Sequence, residues 1–274
     1  MPILGLSKEV CEMPNMLRVV YSAFRLGMLH WIADPQWVIP NIIAPFVFTV
    51  VALTLFKDVS GSFALYAILG GGMMGMWGNT LYSSGFAIEF EKWQGTLEEV
   101  LAAPSNLMHV IAGRSVSNAL LGLLNMVAIL LIATLGYGVP LGIAQPILFA
   151  VSLALTLLSV SALGLIFSSA FVLSRSAQVF TNGLETPLYI ISGSMFPIWG
   201  ILPFWIHPAS YILGPFWGIE AIRMSATAEN FSFDSWMGCI GLTVLLTLVY
   251  VTIATVLFKF VEKKARQEGT LVQA

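Results

Sequence analysis

Few residues in this 274-residue chain could serve a reaction centre, and their spacing argues against one. His30, His109 and His207 stand far apart, with no cluster of carboxylates or cysteines at ligand spacing, so no metal site is expected. Cys11 and Cys239 lie near opposite ends of the chain and read as packing residues rather than a disulfide framework. No Gly-x-Ser-x-Gly elbow occurs. The stretch "AGRSVS" at Ala112 lacks the glycine spacing and the lysine of a phosphate-binding loop, so this chain is not expected to hold ATP phosphates itself. Two groups of carboxylates remain. Glu89, Glu91, Glu98 and Glu99 crowd into "EFEKWQGTLEEVLAAPS", and Glu185 stands alone in "TNGLETPLY".

Both groups lie in an apolar chain. Hydrophobic residues make up 58% and charged residues 9%, against about a quarter charged in a soluble domain. Long apolar runs recur, which predicts a single all-α polytopic membrane domain over residues 1–274. Six spans are expected near 37–56, 63–86, 110–135, 144–173, 179–196 and 235–258. Before them, 15–34 has the periodicity of an interfacial helix, with Leu17, Val20, Tyr21, Phe24, Met28 and Trp31 on one face and Arg18, Ser22 and Arg25 on another. Arg18 and Arg25 also interrupt any apolar core of a cleavable signal. Between the fifth and sixth expected spans, 197–230 is aromatic but broken by Pro197, Pro203, Pro208 and Pro215. A lipid-facing span cannot leave so many backbone groups unpaired. That stretch, with Tyr211 inside it, is expected to form a re-entrant or interfacial hairpin with Trp199, Trp205 and Trp217 at headgroup depth.

Orientation follows from Lys and Arg. Six spans put Lys8, Arg18, Arg25, Lys92, Arg114, Arg175, Lys259, Lys263, Lys264 and Arg266 on the side of the termini and only Lys57 and Arg223 opposite, which makes the termini, the acidic stretch and the basic tail 259–274 cytoplasmic. The overall balance of 12 basic against 14 acidic residues gives no sign of a nucleic-acid partner.

As a helix, the acidic stretch places Phe90, Trp93, Leu97, Val100 and Leu101 on one side and Glu91, Gln94 and Glu98 on the other. Thr96 and Glu99 have capping-box spacing, so a new helical turn can start after a bend at Gly95 and stop at Pro104. Apolar residues exposed in register on a cytoplasmic connector point to a docking surface over 89–104. Within the expected spans, Gly71 with Gly75, Gly113 with Ser117, and Gly164 with Ser168 are spaced four apart, which favours close helix packing. Asn79 continues the first of these faces, either as interhelical glue or as lining of a path. Glu185 either pairs with Arg175, Asn182 or Thr186, or faces a cavity or a cationic headgroup.

Taken together, "EFEKWQGTLEEVLAAPS" resembles the coupling-helix segment of type-2 ABC exporter permeases, and "YIISGSMFPIWGILPFWIHPASYILGPFWGIEAIR" resembles that family's late stretch. The resemblance implies the membrane subunit of an ATP-driven exporter in the bacterial cell membrane, working as a homodimer or heterodimer with two copies of a separate ABC ATPase subunit. It implies no cofactor bound by this chain, ATP and Mg being held by the ATPase. It places Glu91, Trp93, Gly95, Thr96, Leu97, Glu98, Glu99, Leu101 and Pro104 at the docking helix, and Asn79, Glu185, Ser192 and Gly193 as candidates for the cargo path. With 18 Phe, 12 Met and few charges, the interior favours a hydrophobic or amphipathic cargo such as a drug, antibiotic or lipid. A lipid-linked polysaccharide is the alternative within the same architecture. A secondary transporter or channel would need more intramembrane charge or an internal repeat.

Overall fold

The computed structural model describes residues 16–33, 35–55, 68–78, 95, 107–138, 143–172, 177–194, 198–199, 202–227 and 231–268. Among them every regular element is helical. The helices are α1 (Met16–Ala33), α2 (Pro35–Leu55), α3 (68–78), α4 (Leu107–Tyr137), α5 (Pro146–Val172), α6 (Ala177–Ile191), α7 (His207–Ile212), α8 (Gly214–Ala226) and α9 (Phe233–Glu268). In α4, α5 and α9, the stretches Leu107–Gly136, Pro146–Ser169 and Phe233–Val261 are long and apolar enough to cross a membrane. They coincide with the expected third, fourth and sixth spans. Pro35 opens α2 directly after α1, at the helix start where a missing N–H costs nothing. At 15 residues, with Pro187 inside it, α6 is shorter than the ~20 residues of an ordinary span.

Small residues set the helix spacing. A Cβ on Gly113 of α4 would collide with the Val20 carbonyl oxygen and lie 2.7 Å from Ala23 Cβ of α1. One turn on, Gly27 of α1 abuts Ser117. Trp31 then donates from Nε1 to Asn118 Oδ1 at 2.9 Å. Contacts therefore advance in the same direction along both helices. The inward face of α1 is formed by Val20, Ala23, Phe24, Gly27 and Trp31, while Leu17 and Tyr21 point outward at 73% and 65% exposure. Of the apolar face expected for an interfacial helix, Val20, Phe24, Met28 and Trp31 are half-buried while Leu17 and Tyr21 are exposed. Ala23 and Gly27 win the inward positions because only small side chains let the backbones approach this closely.

Helix α3 is wedged between α2 and α4 and is buried almost all round, with Ile68, Met76 and Trp77 fully enclosed. Gly71 meets Thr49 and Pro45 of α2, and a Cβ on Gly122 of α4 would lie 2.6 Å from Met76 Cα. The close-packing role expected for Gly71, Gly75, Gly113 and Ser117 is what the structure shows. Around α3, one apolar core joins Met73, Met126, Phe149, Tyr189, Ile219 and Tyr250, and so ties α4, α5, α6, α8 and α9 together.

Overpacking a tight helix contact costs about 1–3 kcal/mol, so Gly113→Ala is expected to lower the unfolding temperature in detergent. Gly238→Ala in α9, where nothing lies within 4 Å of the added carbon, is expected to be neutral or stabilising by up to ~1 kcal/mol through helix propensity. Equal effects of the two changes on thermal unfolding would contradict the tight seating of α1 on α4.

Candidate functional site

Of the docking segment, only Gly95 is described. It lies in an exposed turn with φ +72°, a backbone conformation that favours glycine, and nothing lies within 4 Å of where its Cβ would be. The bend expected at Gly95 is therefore present. Glu91, Trp93, Thr96, Leu97, Glu98, Glu99, Leu101 and Pro104 lie outside the described residues, as does Asn79. Helix α4 begins at Leu107, three residues after Pro104, so the segment leads directly into the helix that carries α1.

At the other functional end, α6 closes in a Schellman turn built from "SGS". The Gly193 N–H donates to Ile190 O at 3.1 Å and the Ser194 N–H to Tyr189 O at 3.3 Å, with Gly193 at φ +69°. Ser194 Oγ also donates to Tyr189 O at 2.8 Å, and Ser192 Oγ does so at 3.1 Å. Ser192, Gly193 and Ser194 are all buried. Arg223 of α8 lies over this turn, only 5% exposed. Its Nη1 donates to Glu220 Oε1 at 2.8 Å, while Nη2 donates to Gly193 O and reaches Ser194 O at 3.4 Å. A guanidinium thus meets the carbonyl end of α6, where the helix dipole is negative. Glu185 belongs to α6, but its side chain lies outside the described residues.

The hairpin expected over 197–230 resolves into three helical turns, each entered through a proline. Pro203 precedes the 3₁₀ turn Phe204–Ile206, Pro208 lies in the first turn of α7, and Pro215 in the first turn of α8. Pro197 lies outside the described residues. Trp199, Phe204 and Trp205 are exposed at 57%, 85% and 76%. Trp217, expected with Trp199 and Trp205 at headgroup depth, is half-buried and packs within the hairpin. Its ring stacks on Tyr211 at 5.6 Å, and its Nε1 donates to Tyr211 O at 3.0 Å.

Helix α8 is core rather than surface. Phe216, Gly218, Ile219, Ala221, Ile222 and Arg223 are among its buried residues. Gly214 and Gly218, four apart, seat it on α5: a Cβ on Gly214 would lie 2.5 Å from Ser159 Oγ, and one on Gly218 would strike Thr156. Ser159 lies thirteen residues beyond Pro146, or about 20 Å along α5 at ~1.5 Å per residue. The helix then runs back until Gln145 N–H donates to Ser225 O at 3.0 Å and Ala144 N–H to Ala226 O at 3.3 Å. At its deep end, Tyr250 of α9 accepts from Gly214 N–H at 2.8 Å and donates to Ile212 O at 2.5 Å.

The family model described as ABC-2 type transporter matches residues 19–227, from α1 through the docking segment to the end of α8. The chain belongs to the ABC-2 type transporter family. Curated proteins gave no match. Family membership makes this chain a membrane-embedded permease subunit, a transport component rather than a catalyst, associated with an ABC ATPase. Helix α9 lies beyond the matched residues, yet the permease hairpin depends on it through Tyr250. Sequence reasoning missed three parts of this site: the Gly214–Gly218 seat, the Tyr250 clamp and the place of Arg223. The first two glycines carried a readable signal, the small-x-x-x-small spacing inside an aromatic run. Glu220 and Arg223, three apart, carried another.

Tyr250→Phe keeps the ring but strands the Gly214 N–H in a buried place and removes the hydroxyl that the part-buried Ile212 carbonyl accepts from. Each unsatisfied group costs about 1–3 kcal/mol, so a clear loss of thermal stability in detergent is expected. An unchanged unfolding temperature would show that the clamp contributes nothing.

Proposed function

We propose that this permease is the membrane subunit of an ATP-driven exporter that moves a hydrophobic or amphipathic cargo outward. The observation that carries the reading is the family match over 19–227, which spans both the acidic docking segment and the aromatic hairpin. A separate ABC ATPase docks on residues 89–104 through Trp93, Leu97 and Leu101, with Glu91, Glu98 and Glu99 at the rim and the Gly95 bend setting the shape. ATP and Mg belong to that subunit, and two copies of it serve two permease chains. With six spans in the bacterial cell membrane, the ten-to-two division of basic residues puts the termini on the cytoplasmic side. The hairpin enters the membrane from the far side, consistent with the seat of Gly214 beside Ser159 halfway along α5. Helix α6 forms a wall of the cargo path. Its small and polar outward residues Gly183, Thr186 and Pro187 are exposed, Glu185 lies among them in sequence, and the Ser192–Gly193 turn ends the wall. Asn79 lines the same path from the second span.

Burying Trp93 and Leu97 contributes on the order of 1.5–3 kcal/mol each to docking. Every ~1.4 kcal/mol is tenfold in affinity, so Trp93→Ala/Leu97→Ala is expected to weaken ATPase binding by a factor of hundreds, read by co-purification and by ATP-dependent transport in liposomes. Wild-type affinity in a folded double variant would reduce the segment to a connector. Topology has its own test. Single cysteines placed by Gln94→Cys and Thr227→Cys are expected to react with impermeant reagents from opposite sides, and reaction from one side would sink the six-span arrangement.

A further inference from the structure

We propose that Arg223 is a positioning residue for transport: its guanidinium ties the C-terminal end of α6 to the hairpin and so sets how far that end can swing. The contacts are one-sided. Among the described side chains of α6, Gly183, Leu184, Thr186 and Pro187 are exposed, while Leu188 and Tyr189 pack inward. Pro187 removes one backbone donor just before that point, which leaves a natural place to bend. Beyond it, Arg223 reaches the Gly193 and Ser194 carbonyls from α8. Glu220, on the same face of α8, holds the guanidinium in place at 2.8 Å. The other side of α8 is fixed independently, by Thr156 and Ser159 of α5 and by Tyr250 of α9. A buried ion pair adds little net stability compared with apolar packing. Placed beyond Pro187 and the exposed residues beside it, it instead selects one position of the helix end, because the carbonyls must be met in a fixed geometry.

This inference rests on reading α6 as a wall of the cargo path. The following test needs neither cargo nor ATPase, so failure of that reading would leave its outcome standing. The full chain, carrying Cys11→Ser and Ser192→Cys, is purified in detergent and treated with a charged, water-soluble maleimide. Modification at position 192 and at native Cys239 is followed separately by peptide mass spectrometry. Cys239 is buried on α9 in the same cluster as Ala221 and Trp236, and so reports whether the hairpin remains seated on α9. With Arg223→Gln, the thiol at position 192 is expected to react about tenfold or more faster, as a lost charged hydrogen bond opens the local turn. Cys239 is expected to keep its rate, and Arg223→Lys, which retains a charge and donors, to restore slow reaction in part. An unchanged rate at position 192 overturns the proposal. So does a parallel rise at Cys239, which would make Arg223 a general packing residue. A lysine variant as fast as the glutamine variant also overturns it, by assigning the effect to shape rather than charge. Should Arg223→Gln alone fail to fold, Glu220→Gln/Arg223→Gln removes the stranded carboxylate, and the same two rates decide.

Discussion

A chain that reverses direction between apolar helices has no water to satisfy the ends of those helices, so the protein itself must supply each partner. The arrangement of α6, α7, α8 and α9 follows from that constraint. The deep end of α8 is closed by Tyr250, which takes the Gly214 N–H and gives its own proton to Ile212 O. Its other end is closed from the α4–α5 connection, where Gln145 and Ala144 donate to Ser225 O and Ala226 O. The end of α6 is closed by its own serines and by Arg223. Even the prolines fit the constraint, since Pro208 and Pro215 sit in first turns, where an N–H would have had no helical acceptor.

A second constraint is distance. Hydrophobic burial gives little preference between one apolar helix and another in apolar surroundings, so specificity comes from how closely backbones can approach. Gly113 against Val20, Gly122 against Met76, and Gly214 against Ser159 are the points where a single added carbon would push neighbours apart. Hydrogen bonds from large aromatic residues then lock the register at such seams. Trp31 reaches Asn118 between α1 and α4, and Trp236 donates to Ser152 at 2.9 Å between α9 and α5.

Much of this was legible in the sequence, for physical reasons that can be named. Long apolar runs gave α4, α5 and α9, because backbone self-satisfaction leaves a helix as the only option for such a run. Small residues four apart marked Gly71–Gly75 and Gly113–Ser117 as contact faces. The seating of α1 on α4 was not legible, because periodicity weighs Leu17 and Tyr21 by hydrophobicity, whereas the contact with α4 selects Ala23 and Gly27 by size. The partner of Trp217 was hidden for a similar reason: an aromatic belt is a statement about composition and cannot say which indole finds Tyr211 O within reach. Arg223 was counted only among the basic residues opposite the termini, because no local pattern announces that Gly193 and Ser194, thirty residues earlier, will present carbonyls to it. Ser192 and Gly193, read as candidates for the path, are engaged in the turn that ends α6, so any contribution to a path comes through where that turn is held.

The helices consequently fall into two differently joined groups. Helices α1, α3 and α4 share glycine-mediated seams, and α4 lies next in sequence to the docking segment, Leu107 following closely on Pro104. Helices α5, α8 and α9 form a second group, sealed by Gly214, Gly218, Tyr250 and Trp236. The groups share one core, to which the first brings Met73, Met76, Trp77 and Met126 and the second Phe149, Leu163, Ile219 and Tyr250. Closely seated helices resist separation because every added ångström forfeits contacts along their length. A methionine-lined boundary can repack at lower cost. Helix α6 belongs fully to neither group: Leu188 and Tyr189 enter the common core, Gly183, Thr186 and Pro187 face out, and Arg223 secures only its last turn. Local stability tracks buried contact and satisfied hydrogen bonds, so among the described side chains of α6 this packing holds Gly183, Leu184, Thr186 and Pro187 less firmly than Leu188 and Tyr189.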